Sequence, residues 1–151
     1  MKTYLTAALV FLFAIGLTSC SCSQTKFDSN KATSEKIMST LNNTQWVLQR
    51  IDIQNRDFKP TEEQPELVLS FVDNFYSTSD GCNGKGGEFE AEDNKITLKS
   101  GMSTMRYCGE EMAHLIYDVP LHTAKAIKIK KEQLQLFNEE GAVVATYVKK
   151  K

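Results

Sequence analysis

A chain of 151 residues has room for one ordinary domain and little more, since single cores usually occupy about 100–150 residues. Its 41% hydrophobic and 25% charged content is that of an average globular protein, which excludes global disorder and a polytopic membrane protein. With 18 basic against 19 acidic residues it lacks the basic excess that drives nonspecific phosphate binding, so nucleic acid is not an expected partner.

The chain opens with Lys2 and an uncharged apolar run from Tyr4 to Leu17, the layout of a secretory signal. The run Ala7–Leu17 is shorter than the roughly 20 residues of a spanning helix. Leu17-Thr18-Ser19-Cys20 resembles a bacterial lipobox, which implies a signal peptide at 1–19 and lipidation of Cys20. Cys22 is the poorer candidate, because Ser19-Cys20-Ser21 before it has no branched apolar residue at the first place. Acyl chains on Cys20 contribute about 0.8 kcal/mol per buried methylene, and more than one makes anchoring stable. The expected location is therefore the cell envelope, with the membrane held through the N-terminal lipid. Cleavage removes one charge, Lys2, leaving 17 basic against 19 acidic residues, a net of −2. Residues 20–38 are the lipidated N-terminus and a polar tether, and 39–151 the globular domain.

From about Ile37 onward short apolar alternations of period two are separated by Asp, Asn, Gly and Lys clusters, the pattern of half-buried antiparallel strands. Strands are expected at Gln45–Ile53, Glu66–Phe71, Asn74–Ser79, Gly87–Ala91, Lys95–Leu98, Ser103–Tyr107, Ala126–Lys130, Gln133–Phe137 and Val143–Lys149. Turns are expected at Asp73-Asn74, Glu92-Asp93-Asn94, Lys131-Glu132 and Asn138 to Gly141. The connections are too short for crossover helices, which excludes a doubly wound parallel sheet. Between Gly109 and Thr123, Met112, Leu115, Ile116 and Val119 fall on one stripe of an amphipathic helix, with Pro120 to end or kink it.

Asp80-Gly81-Cys82-Asn83-Gly84-Lys85-Gly86-Gly87 concentrates glycine, yet Ser79 and Gly86 stand where a phosphate loop needs glycine and a hydroxyl. The residues read as a turn of positive φ, with a bulge at Gly86 and Gly87. For Cys82 and Cys108 three readings stay open: a disulfide, two reduced cysteines, or a metal site completed by His114 and His122. A Cys82 nucleophile with His114 as base lacks support, as His114 sits at the edge of the apolar stripe, and Ser79 and Ser103 lack a nucleophile-elbow setting. No catalytic residues, cofactor or resident metal are expected.

Asn43-Thr44-Gln45-Trp46, Gly81-Cys82-Asn83 and Thr104-Met105-Arg106-Tyr107-Cys108, followed by the helix-like segment, occur in the order and approximate spacing of the META domain. Residues 39–149 thus resemble the domain of HslJ-type heat-shock-associated lipoproteins. That resemblance implies antiparallel strands curled into a partly open barrel with one helix across it, and a mainly β, α+β fold. It adds support to a pairing of Cys82 with Cys108. It gives Asn43, Thr44, Trp46, Gly81, Asn83, Thr104 and Met105 structural roles: Trp46 as a core anchor, Asn43 and Thr44 as bonds to nearby backbone. It further implies an envelope protein linked to stress responses. Its likeness to pilot lipoproteins implies binding of a partner protein, or of an apolar ligand in a cracked barrel. Gly84-Lys85-Gly86-Gly87 and Pro120 depart from the family pattern. The expected function is a noncatalytic, lipid-anchored binding module, and its rival is a metal- or redox-sensing lipoprotein using Cys82 and Cys108.

Overall fold

The computed structural model describes residues 36–151; the signal segment, Cys20 and Cys22 lie outside the described residues. A short helix at 36–41, α1, begins within the stretch expected to be tether and lays Ile37, Met38 and the fully buried Leu41 on the core. The strands follow as β1 Thr44–Ile51, β2 Arg56–Asp57, β3 Val68–Val72, β4 Phe75–Ser79, β5 Gly84–Glu92, β6 Lys95–Leu98, β7 Ala126–Lys130, β8 Gln133–Phe137 and β9 Val143–Lys149.

The pairings are antiparallel and run β2-β1-β3-β4-β5-β6-β7-β8-β9, and β9 returns to β1. The expected barrel is therefore present, and it closes as a ring of eight strands rather than staying partly open. Its thinnest seam lies between β6 and β7, where the only register pair is Lys95 with Ala126. Register slips in β1 between Leu48 and Arg50, and in β8–β9 at Leu136/Phe137, supply the local bending that closure requires. The turns take left-handed backbone at Asp73, Asp93, Lys131 and Gly141, as the composition of those segments predicts.

Inward positions recur every second residue: Trp46 and Leu48, Leu69 and Phe71, Phe89 and Ala91, Leu134 and Leu136, Ala145 and Tyr147. Phe71 and Phe89 meet edge to face at 4.8 Å between ring centroids. Trp46 is a core anchor as expected, and its indole N–H donates to Thr44 Oγ1 at 2.8 Å. Among the described residues these side chains form one continuous buried core inside the barrel.

Two sequence-based elements differ. Ser103–Tyr107 is no regular strand: its ladder pairing with β5 is a single bridge, Lys85 to Ser103. Between the Phe89–Leu98 pair and that bridge, four steps along β5 match five along the returning chain. The bulge thus belongs to residues 99–102, while Gly86 and Gly87 stay in regular register with β4. The amphipathic helix is replaced by two 3-10 turns, Glu110–Leu115 and Leu121–Thr123, and Met112, Leu115, Ile116 and Val119 are only half-buried. Tertiary hydrogen bonds compete with the helical ones. Arg56 donates to the His114 and Ile116 carbonyls at 2.7 Å each, Gln64 Nε2 donates to the Leu115 carbonyl, and the Tyr117 amide donates to the Asp80 carbonyl at 2.7 Å.

Tyr147 is 1% exposed, and its hydroxyl has no hydrogen-bond partner among the described residues. A buried unpaired hydroxyl costs about 1–3 kcal/mol. Tyr147→Phe is expected to raise the unfolding free energy by about 1 kcal/mol, read as a melting-temperature rise of about 4 °C. Burial also raises the Tyr147 phenol above its ordinary value of 10.0. An unfolded tyrosine releases its proton near pH 10 while the folded one keeps it. Its contribution is therefore fully present below that pH and falls above it, by up to about 1.4 kcal/mol per pH unit. Melting curves between pH 9 and 11 should show a shallower alkaline decline in Tyr147→Phe than in the wild type.

Candidate functional site

After β4 the chain turns tightly through Asp80–Asn83. Asp80 is buried, and its Oδ1 accepts from the amides of Cys82 at 2.9 Å and Asn83 at 2.6 Å. Gly81 takes φ +98°, and a Cβ there would run into Gln64 Nε2 and stand 2.8 Å from the Leu115 carbonyl oxygen. Glycine is required twice over, by conformation and by space. Lys85 on β5 folds back to Asp118 at 2.5 Å and Asp80 at 3.7 Å. Burial works to lower its ammonium, but the hydrogen bond and charge of Asp118, joined by Asp80, prevail and hold it above the ordinary lysine value.

Asn83 then clasps the returning chain. Its Oδ1 accepts from the Arg106 amide at 2.6 Å and the Thr104 hydroxyl at 3.1 Å, and its Nδ2 donates to the Arg106 carbonyl at 3.3 Å. Gly84 and Thr104 exchange two further bonds of 3.0 Å, from the Gly84 amide to Thr104 Oγ1 and from the Thr104 amide to the Gly84 carbonyl. Cys82 and Cys108 are joined as a disulfide, with Cα atoms 6.1 Å apart. The glycine-rich turn and the Thr-Met-x-x-Cys segment, 20 to 26 residues apart, thus form one unit: a turn with a covalently stapled arm lying along β5.

The arm presents apolar side chains to solvent. Met102 is 88% exposed, Met105 98% and Tyr107 83%. Met105 therefore makes no packing contribution of the kind its place in the motif suggests. Beside the arm an open groove of about 510 Å³ is lined by Phe75, Tyr76, Gly86, Gly87, Lys99 and Met102. Phe75 is itself more than half exposed, and the Tyr76 hydroxyl donates to the Lys99 carbonyl at 3.1 Å.

The opening motif sits elsewhere. Asn43 takes left-handed backbone with φ 57° and is exposed, while Thr44 donates to the Leu41 carbonyl and ties α1 to β1. It is Asn42, not Asn43, whose side chain bonds backbone, accepting from the Asp73 amide at 2.6 Å. His114 and His122 stand exposed on the two 3-10 turns, and both sulfurs of the 82–108 pair are taken. Among the described residues no three His, Cys, Asp or Glu side chains come together.

Sequence reasoning missed Arg56 and Gln64. The Arg56 guanidinium spans the carbonyls of His114 and Ile116 and lies 3.7 Å over the Tyr117 ring, whose edge meets Phe58 at 5.0 Å. Gln64, buried in the Pro60–Pro65 loop, holds the Leu115 carbonyl behind Gly81. These contacts cross 51 to 60 residues, so no local pattern announces them.

An NMR structure of a protein from Burkholderia xenovorans is similar at 18% identity, covering 76% of this chain and 87% of that one, with a TM-score of 0.47. A second NMR structure of a protein is similar at 16% identity, covering 74% of this chain and 92% of that one, with a TM-score of 0.51, and shares the fold. No curated protein matches the chain. The model of the META domain matches residues 39–151, which takes in β1 to β9, the glycine-rich turn and the stapled arm. By that match the chain belongs to the META domain family.

Proposed function

We propose that the protein is a noncatalytic binding protein of the cell envelope. In this reading the apolar run before Cys20 exports it, lipid on Cys20 anchors it, and a partner protein docks on the stapled arm, in the stress role that the resemblance implies. One observation carries the binding part: Met102, Met105 and Tyr107 stand 83–98% exposed on a segment that a disulfide and the Asn83 hydrogen bonds hold against β5. The barrel gains nothing from them there, and clustered apolar side chains on a fixed backbone suit a protein interface. Backbone held in advance also lowers the ordering cost of association. The continuous buried core turns the reading away from an apolar ligand inside the barrel and toward this outer face.

The triple variant Met102→Ser, Met105→Ser, Tyr107→Ser should melt within about 2 °C of the wild type, because the three side chains bury little. A one-to-one envelope partner is expected to co-purify with the wild-type protein and to be lost from the triple variant. Retention of that partner by a folded triple variant overturns the arm as the docking face. Palmitate labelling checks the anchor: label incorporated by the wild type and absent from Cys20→Ala supports it, and equal labelling of both does not.

A further inference from the structure

The last strands gather lysines that look scattered in the sequence. Lys128 and Lys130 project from the exposed side of β7, Lys131 follows in the turn, and the Lys149 amide donates to the Glu132 carbonyl at 2.7 Å. Lys150 and Lys151 continue from there, so register draws Lys130, Lys131, Lys149, Lys150 and Lys151 to one end of the β7–β8–β9 ladder, with Lys128 two residues along β7 from it. Glu132 shares the turn with Lys131, and Glu66 is engaged with Lys150 at 3.0 Å. Lys128, Lys130, Lys131, Lys149 and Lys151 are exposed and make no ion pair among the described residues. This is a strongly basic end on a chain of net charge −1.

The same end receives the chain from its N-terminal side. The Lys150 amide donates to the Gln45 carbonyl at 2.8 Å, and Trp46 pairs with Lys149, just after α1 leads into β1. Residues 21–35 separate Cys20 from α1, fifteen residues that reach at most about 50 Å when extended. An anchor on Cys20 therefore joins the barrel at this end and keeps it within reach of the bilayer, where each lysine close to an anionic surface gains about fivefold in partitioning. We infer that the lysine-rich end formed by Lys128, Lys130, Lys131, Lys149 and Lys151 is a docking face for anionic lipid headgroups, which orients the tethered barrel on the membrane. The inference deepens the anchored reading above and rests on it. Charge complementarity and the place where the tether joins the barrel carry it.

Lysine acetylation of the full-length lipoprotein, read by mass spectrometry, tests the face. On vesicles containing 30% phosphatidylglycerol the five lysines should react at least about fivefold more slowly than on pure phosphatidylcholine vesicles. Lys95 and Lys125, at the other end of β7, should react alike on both. Protection should vanish in 0.5 M salt, where the screening length falls to a few ångströms. In Lys130→Glu/Lys131→Glu/Lys149→Glu, protection of Lys128 and Lys151 should be lost. Protection that is absent, or equal at Lys95 and Lys125, overturns the proposal. Equal protection by soluble polyglutamate in place of vesicles also overturns it, assigning the face to acidic polypeptides. Flotation with pure phosphatidylcholine vesicles reads the anchor separately: floating without lysine protection sinks the face alone, and protection without floating sinks the anchor alone.

Discussion

Replacing Cys82 and Cys108 together by alanine is expected to remove about 3.5 kcal/mol of stability, from the loop entropy of a 26-residue closure. That is a large share of the 5–15 kcal/mol available to a domain of this size. The effect lies mainly in the unfolded chain, which the bridge keeps compact, and the native barrel is expected to form in the variant. The urea midpoint should fall by about 2 M. Wild-type protein under reducing conditions should move to the same midpoint, because the same constraint is lost. The arm should respond more than the barrel. With the staple gone, residues 102–108 are held by hydrogen bonds only, those of Asn83, the Gly84–Thr104 pair, the Gly86 amide to the Met102 carbonyl and the Arg106 guanidinium to the Cys82 carbonyl, and protease cleavage there should quicken before global unfolding. An unchanged midpoint would mean that the bridge contributes nothing to stability.

Gly87→Ala is expected to cost about 3 kcal/mol and to lower the melting temperature by roughly 12 °C. A Cβ at this position would run into the Lys99 carbonyl oxygen and stand 3.0 Å from the Gly101 amide nitrogen, both backbone atoms that no rotamer change can move away. The returning chain lies this close because Gly86, Gly87 and Gly101 bring bare backbone together, which also forms the floor of the groove beside Met102. Gly84→Ala is the control: nothing stands within 4 Å of its Cβ, and its cost should stay within about 0.5 kcal/mol. Equal melting of the two variants would contradict the close packing of the arm on β5.

Alternation made most strands readable from local sequence. Lys95–Leu98, Ala126–Lys130, Gln133–Phe137 and Val143–Lys149 have the bounds expected of them, because one face of each is buried and a period of two leaves a clear mark. Segment 109–123 carried an equally clear helical stripe and misled, since its half-buried apolar residues lie over the barrel on two short turns. Ser103–Tyr107 alternates like a strand, yet it has a partner along one edge only and bulges away from β6. At the site, glycine at 81 and the two cysteines were legible because their backbone and covalent demands are local or chemical. The exposure of Met105 was not legible: an apolar residue in a motif does not reveal which way it faces.

Most strand positions, the turn residues and the family were thus determined by the sequence alone, through side-chain periodicity, left-handed turn chemistry and the order of short motifs. Only the tertiary structure decided the closure of β9 onto β1, the stapled arm with its bare apolar face, the grip of Arg56 and Gln64 on the 114–116 carbonyls, and the meeting of lysines from β7 and β9. Those features depend on contacts between residues tens of positions apart. Such contacts form only when the whole sheet curls, and no short window of sequence contains both partners.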